Sequence, residues 1–400
     1  MTSNKMTSVV TETLRPLNST PIDRHALKTQ VDNALQHITS RIDRTLFALG
    51  DKFPNEACQG GKWQPAENNQ WTNSFWTGQL WLLWEMTGND KYRQAAERFI
   101  LSFAHRLANR IETDTHDLGF LYTLSCVNAW RLTANTRARD IALHAAEMMM
   151  QRYNSTAGII QAWGDLTDPE QQGRMIIDCN MNLPLLYWAS EQTGNPVFAQ
   201  AALSHAMQAA KYIVRPDAST YHTYYMDIVT GEPRYGNTHQ GHSDSSCWAR
   251  GQAWGIYGFM LSYLYTGKTE LVNLSRSLSH YFINRLPKDF VCHWDLALVN
   301  TDTVRDSSAA AIAACGLLEL AKALPATDDY RMQYEETALQ IIHSLTEHYL
   351  STNNAECEGL LMHSVYHMPA GKGVDECCSW GDYFYLEALI RVRQCWKPYW

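Results

Sequence analysis

The stretch WTGQLWLLWEMTGNDKYRQAAERFILSFAHRL, residues 76–107, holds two helical patterns and the turn between them. Residues 76–86 are apolar around most of the circumference, which predicts a helix buried on all sides. Residues 91–107 carry charges on one face at a 3.6-residue period, which predicts an amphipathic helix with one wet side. Between them, Thr87-Gly88-Asn89-Asp90 supplies a glycine where one helix stops and an asparagine where the next is capped.

The unit recurs. LGFLYTLSCVNAWRL (118–132) meets Thr133-Ala134-Asn135 and then RARDIALHAAEMMMQRY (137–153). NLPLLYWASEQ (182–192) meets Thr193-Gly194-Asn195-Pro196 and then VFAQAALSHAMQAAKYI (197–213). GQAWGIYGFMLSYLY (251–265) is followed by Thr266-Gly267-Lys268 and TELVNLSRSLSHYFI (269–283). SSAAAIAACGLLELAKA (307–323) is followed by Leu324-Pro325-Ala326 and DDYRMQYEETALQIIHSL (328–345). A sixth inner pattern, 383–393, lacks an outer partner, and an N-terminal pattern, about 23–49, lacks an inner one. Five hairpins and one split pair predict an all-α fold: an (α/α)6 barrel of concentric rings, one domain over residues 21–400 behind a flexible tail, 1–20. The longest connections are 152–181 and 214–248; the second contains HTYYMDIVTGEPRYG (222–236), a short β-hairpin expected over one end. Loops entering the inner helices should build the functional face.

Composition narrows the function. The 400 residues carry 33 basic against 41 acidic side chains, and 45% are apolar, enough for a large core. The net charge of −8 argues against a nucleic-acid binder, which needs a basic stripe to neutralise phosphates. The most apolar run, 307–324, carries Glu319 and Lys322, so no membrane partner is expected. Ten cysteines show no zinc-ligand spacing, and the adjacent pair Cys377-Cys378 is poorly placed to bridge. Buried reduced thiols, no metal and a cytoplasmic location are the expectation, because the N-terminus shows no apolar leader pattern. Fourteen tryptophans, several in polar, Gly-flanked stretches, suit a cleft whose flat aromatic faces meet a sugar.

Register then selects one end of the barrel. Trp71, Asp117 and Arg250 each stand 16 residues before their turn threonine, and Asp178 stands 15 before Thr193. With His116, Asp306 and Asp382 they should converge on one mouth. Helix capping is the competing reading for an aspartate before a helix. It suits Asp306 in RDSSAAA better than Asp117 in HDLGF or Asp178 in MIIDCNMN. Apolar neighbours should raise the Asp178 pKa, the condition for a general acid near neutrality. Two carboxylates on a Trp-lined mouth point to sugar chemistry.

At these residues the chain resembles the unsaturated glucuronyl hydrolases, glycoside hydrolase family 88. The matching blocks are WTNSFWTGQLWLLWEMTGNDKYR, HDLGFLYTLSC, RMIIDCNMNLPLLYWAS, YHTYYMDIVTGEP, THQGHSDSSCWARGQAWGIYGF, RDSSAAAIAACGLLEL and WGDYFYLEAL, from Trp71 to Leu389. The resemblance implies an (α/α)6 barrel that removes a 4,5-unsaturated glucuronic acid from lyase-generated oligosaccharides by hydrating its double bond. It implies Asp178 as general acid/base and Asp117 as the assisting carboxylate. It further implies Trp71, His116, His222, Gln240, Trp248, Arg250 and Trp254 as substrate contacts, with Ser364 and Lys372 as candidate aglycone or sulfate contacts. No cofactor or metal is implied; the partner is an unsaturated oligosaccharide, and the chain is a monomer or homodimer. Unsaturated rhamnogalacturonyl hydrolases and a non-catalytic sugar-binding barrel are the alternatives. The paired HDLGF and DCNMNLPLL blocks favour the glucuronyl type.

Overall fold

Four turns repeat one set of bonds. In each, a threonine returns its hydroxyl to the carbonyl four residues back: Thr87 to Leu83, Thr133 to Ala129, Thr193 to Ala189 and Thr266 to Ser262, at 2.6–2.7 Å. The next residue is left-handed (Gly88, Ala134, Gly194 and Gly267, φ 55–71°) and closes the helix. Asn89, Asn135 and Asn195 then cap the following helix with their side chains. The sequence repeat is therefore a repeated piece of capping chemistry.

The computed structural model describes residues 9–17, 19–299 and 301–400. In it, α1 (Arg24–Leu49) precedes the hairpins α2 (Asn73–Thr87) with α3 (Asp90–Ala108), α4 (Leu118–Tyr122) and α5 (Asn128–Thr133) with α6 (Thr136–Met150), and α7 (Cys179–Asn182) and α8 (Pro184–Thr193) with α9 (Pro196–Gln208). Helices α10 (Ala249–Thr266) and α11 (Thr269–Ile283), then α12 (Ser307–Ala323) and α13 (Arg331–Ser344), complete the hairpins before α14 (Ser379–Arg393). The inner helices touch in the order α2, α4, α7, α10, α12, α14 and back to α2, and α1 lies against α14. This is the expected (α/α)6 ring, closed by its own N-terminal helix. No helix among the described residues is long and apolar enough to cross a membrane.

Two inner helices are less regular than their patterns. A π-helical turn at Thr123–Val127 separates α4 from α5, and Pro184, with no N–H to give, starts α8 one residue after α7 ends. Among the described residues, four small sheets ride on the ring: β1 (Phe53–Pro54) with β2 (Pro65–Ala66), β3 (Tyr153–Asn154) with β4 (Ile159–Ile160), β5 (Arg174–Ile176) with β6 (Thr223–Met226) and β7 (Pro233–Asn237), and β8 (Ser364–His367) with β9 (Lys372–Glu376). The anticipated hairpin is β6–β7; β5, from the other long connection, adds a third strand.

The N-terminal segment corrects an expectation. Residues 1–8 and 18 of the supposed tail lie outside the described residues. Its described part is strapped to the ring, with Leu14 buried and Glu12 paired to Arg285 at 2.8 Å. Val10 also donates its N–H to the Pro216 carbonyl, and Thr11 bonds Ser277. Long-range ion pairing, invisible in a local pattern, holds it there.

Glycines let the inner helices meet. A Cβ on Gly119 of α4 would stand 2.3 Å from the main-chain oxygen of Asn182 at the end of α7. Gly119→Ala is therefore expected to destabilise the fold by about 1–3 kcal/mol, the cost of overpacking. Urea unfolding checks this, and an unchanged midpoint would contradict the contact.

Candidate active site

Asp117 and Asp178 stand at the entrances of α4 and α7, and neither caps its helix with its side chain. The Asp117 carboxylate accepts from the Thr115 hydroxyl at 2.9 Å and the Asn182 amide at 3.4 Å, with His116 Nε2 3.4 Å away. Asp178 Oδ1 has no partner among the described residues. Burial is the main reason that both protons are held tightly. It pushes Asp117 up to about 6 against the pull of Thr115, Asn182, Arg106 and Arg152. Asp178 rises to about 7, through burial and then the neighbouring Asp117 charge, with Arg250 opposing. Near pH 6.5 the pair therefore shares one proton, and Asp178 is the favoured holder. His116 is driven down to about 3 by burial and stays neutral.

These groups line a cavity of about 200 Å³ with Trp71, Trp163, His239, Gln240, Arg250, Tyr366 and His367. A wider vestibule of about 910 Å³ shares Trp71, Asp117 and Trp163 with it and reaches Glu56, Arg110, Glu112, Asp114 and Asp165. Trp71 stacks on Trp380 with ring centroids 5.1 Å apart and donates to the Tyr366 hydroxyl at 3.2 Å.

Arg250 is a scaffold for this wall. It is buried between the Trp248 and Trp380 rings, 4.4 and 4.8 Å from their centroids. Its two terminal nitrogens donate to Asp306, to the carbonyls of Val365 and Tyr366, and to Gln240 Oε1. His222 supports the same wall from behind, its Nδ1 accepting the N–H groups of His239 and Gln240 at 3.0 and 3.1 Å.

The structure brings Trp71, His116, Asp117, Asp178, Gln240 and Arg250 to the cavity and leaves other candidates outside it. His222 and Trp248 form the layer behind the wall. Trp254, one helical turn beyond Arg250, is fully buried against Phe120 and Phe384, so it belongs to the barrel core. Ser364 is buried and bonded to Ser307 at 2.8 Å. Lys372 sits at the rim, paired with Glu56 and 4.5 Å over the Tyr366 ring. Asp306 caps α12 and pairs with Arg250, while Asp382 accepts the N–H groups of Leu360 and Leu361 away from the cavity. Trp163, His239, Tyr366 and His367 line the cavity without having been singled out from the sequence. They lie on connections and a hairpin, where no helical register marks them; the adjacency of His239 to Gln240 was the one local signal. Among the described residues no three His, Cys, Asp or Glu side chains are placed to hold a metal.

A family model described as Glycosyl Hydrolase Family 88 matches residues 50–392. An unsaturated chondroitin disaccharide hydrolase of Streptococcus pyogenes serotype M1 is 44% identical over 371 residues, 92% of each chain. An unsaturated glucuronyl hydrolase of Bacillus sp. (strain GL1) is 43% identical, over 89% of this chain and 95% of its own. The crystal structure of the unsaturated glucuronyl hydrolase of Streptococcus agalactiae superposes with a TM-score of 0.93 at 41% identity, covering 99% of this chain and 100% of the other.

A reaction needing one of these carboxyls protonated and the other ionised runs fastest between about pH 6 and 7, where the pair holds one proton. The rate should fall below that window as Asp117 gains its proton, and above it as Asp178 loses its own. A pH–rate profile checks this; one that is flat from about pH 4 to 8, the span over which raised carboxyls titrate, would contradict it.

Proposed function

The chain belongs to glycosyl hydrolase family 88, and from that premise we propose that it removes the 4,5-unsaturated glucuronic acid from the non-reducing end of lyase-generated oligosaccharides, glycosaminoglycan-type disaccharides above all. The observation that carries this reading is the pair of uncapped carboxyls of unequal proton affinity in one aromatic cavity.

The unsaturated ring is an enol ether, so its carbon 4 is nucleophilic. Protonated Asp178 gives its proton to carbon 4, and positive charge develops at carbon 5 and the ring oxygen. Ionised Asp117 faces that charge and stabilises it electrostatically. Asp178, now ionised, takes a proton from a water as the water's oxygen bonds to carbon 5. The resulting hemiketal opens at the ring oxygen, leaving a hemiacetal at carbon 1 that collapses and releases the aglycone. Proton transfer and one water suffice.

The uronate carboxylate meets Gln240 in preference to Arg250. The four N–H groups on the terminal nitrogens of Arg250 already face four protein acceptors, one of them Gln240 Oε1. That bond turns the Gln240 amide so that Nε2 is left to donate. Trp71 and Trp163 supply the flat faces. Lys372, paired with Glu56 at the rim, is a candidate cation for an aglycone substituent. All ten cysteines are free and nine are buried, which supports a reducing compartment, the cytoplasm.

Asp178→Asn should lower turnover by about 10²–10⁴-fold, the range for a positioned general acid. Substrate binding should persist. The assay is loss of the ultraviolet absorbance of the unsaturated uronate, and the position of a solvent oxygen label separates hydration from ordinary glycosidic cleavage. In water labelled with heavy oxygen, the label should appear on carbon 5; label on the anomeric carbon would replace this mechanism with a conventional one.

A further inference from the structure

Asn182 is the last residue of α7 and is fully buried between the two carboxyl-bearing turns. Its Oδ1 accepts the Phe120 N–H at 2.6 Å, on the first turn of α4. Its Nδ2 donates in two directions: to Asp117 Oδ1 at 3.4 Å, and to the main-chain oxygen of Asp178 at 3.3 Å. Gly119 closes over it so tightly that a Cβ there would stand 2.4 Å from its Cα and Cβ. One amide thus spans both turns and cannot drift.

We propose that Asn182 is a positioning residue that fixes the spacing of the two carboxyl turns and assigns the shared proton to Asp178. The assignment follows from where its donor points. On the Asp117 side it meets a carboxylate oxygen and stabilises the charged form; on the Asp178 side it meets only the main chain and leaves that carboxyl unaided. The other groups facing Asp117 are His116 beside it, Arg106 of α3, Arg152 beyond α6, and Asp178 and Cys179 across the gap. Burial keeps His116 and the Cys179 thiol neutral, so two arginines, Thr115 and Asn182 hold Asp117 ionised against Asp178. Of the polar donors to Asp117, Asn182 alone also touches the Asp178 turn. The inference rests on the proposed acid–base roles of the pair.

Asn182→Leu keeps the branched shape and the number of heavy atoms and removes every side-chain hydrogen bond. We expect kcat to fall about 10–100-fold, the scale of a small misplacement of reacting groups, with KM changed less than about threefold. The acid limb of the pH–rate profile should move up by about 0.5–1 pH unit as Asp117 loses its donor, and the alkaline limb should move less. Asn182→Ser, smaller and able to donate, should lie between wild type and Asn182→Leu on each measure, and it decides the matter if the leucine variant does not fold. A fall in kcat with an unmoved profile would show a purely structural role and overturn the proton assignment, as would wild-type kinetics in both variants. Infrared titration of the protonated carboxyl stretch, in wild type and the Asn182→Ser protein, follows the proton without turnover. If Asp178→Asn stayed active, the acid–base reading would fail, while an infrared titration shifted upward in the variant would still place Asn182 in control of the pair.

Discussion

Helix α7 is four residues long and is gripped on both sides by glycine. Gly119 of α4 lies against Asn182, and Gly258 of α10 lies against Asn180, where an added Cβ would meet its partner at 2.3–2.5 Å. Such contacts remove the side-chain layer that usually separates packed helices, which sit 8–10 Å apart axis to axis. The turn that bears Asp178 is thereby drawn against the turn that bears Asp117. Everything chemical in the cavity depends on that approach, because two carboxyls perturb each other only when they are close and share a dry site. Pro184 contributes by ending α7 before it can run on as a longer helix.

The approach has an electrostatic cost that the rest of the ring must carry. The folded protein binds the Asp117 and Asp178 protons more tightly than the unfolded chain, whose carboxyls titrate near 3.8. A raised folded-state pKa means that stability declines as pH climbs from about 4 through about 7 and those protons are lost. The inner ring offsets this with apolar burial: α2, α10, α12 and α14 are buried over most of their length. The carboxyls sit at the open end, above the aromatic plug formed by Phe120, Trp254, Phe384 and the C-terminal Trp400. That electrostatic cost is thus confined to the mouth, and the cohesive interactions lie beneath it.

How far the sequence could be read follows from the range of each interaction. Thr-Gly-Asn turns are legible because threonine back-bonding, a left-handed residue and an asparagine cap all act within four or five residues. The register of Asp117 and Asp178 before their helices is equally local. Depth is not. Trp254 follows Arg250 by one turn on the same helix, yet that turn carries it from the wall of the cavity into the core. Ser364 and Tyr366 would share a face in a regular strand, and only fold-level facts, the irregularity between Ser364 and Val365 and the packing of β8 on α12, decide that the serine is buried and the tyrosine lines the cavity. The N-terminal strap depends on Glu12 finding Arg285, a pairing across 273 positions that no window contains. Asp382 shows the converse error: its register matches the mouth, but two loop N–H groups claim its carboxylate.

Arg250 shows how a buried charge can be kept by protein partners. Enclosing a guanidinium costs several kcal/mol of lost hydration, and a single partner such as Asp306 at 3.3 Å rarely returns all of it. Two carbonyls of β8, the Gln240 amide oxygen and two indole faces complete the compensation. Those six partners come from five places in the fold: Asp306 before α12, Val365 and Tyr366 on β8, Gln240 beyond β7, Trp248 before α10 and Trp380 on α14. A planar donor fork can hold all of them at fixed angles, whereas an ammonium could not. The charge therefore converts several loop ends, individually free to move, into one rigid wall opposite the carboxyl pair. Rigidity there matters because the donors must already point at the place where charge develops, so that none of the reaction's free energy goes into turning them.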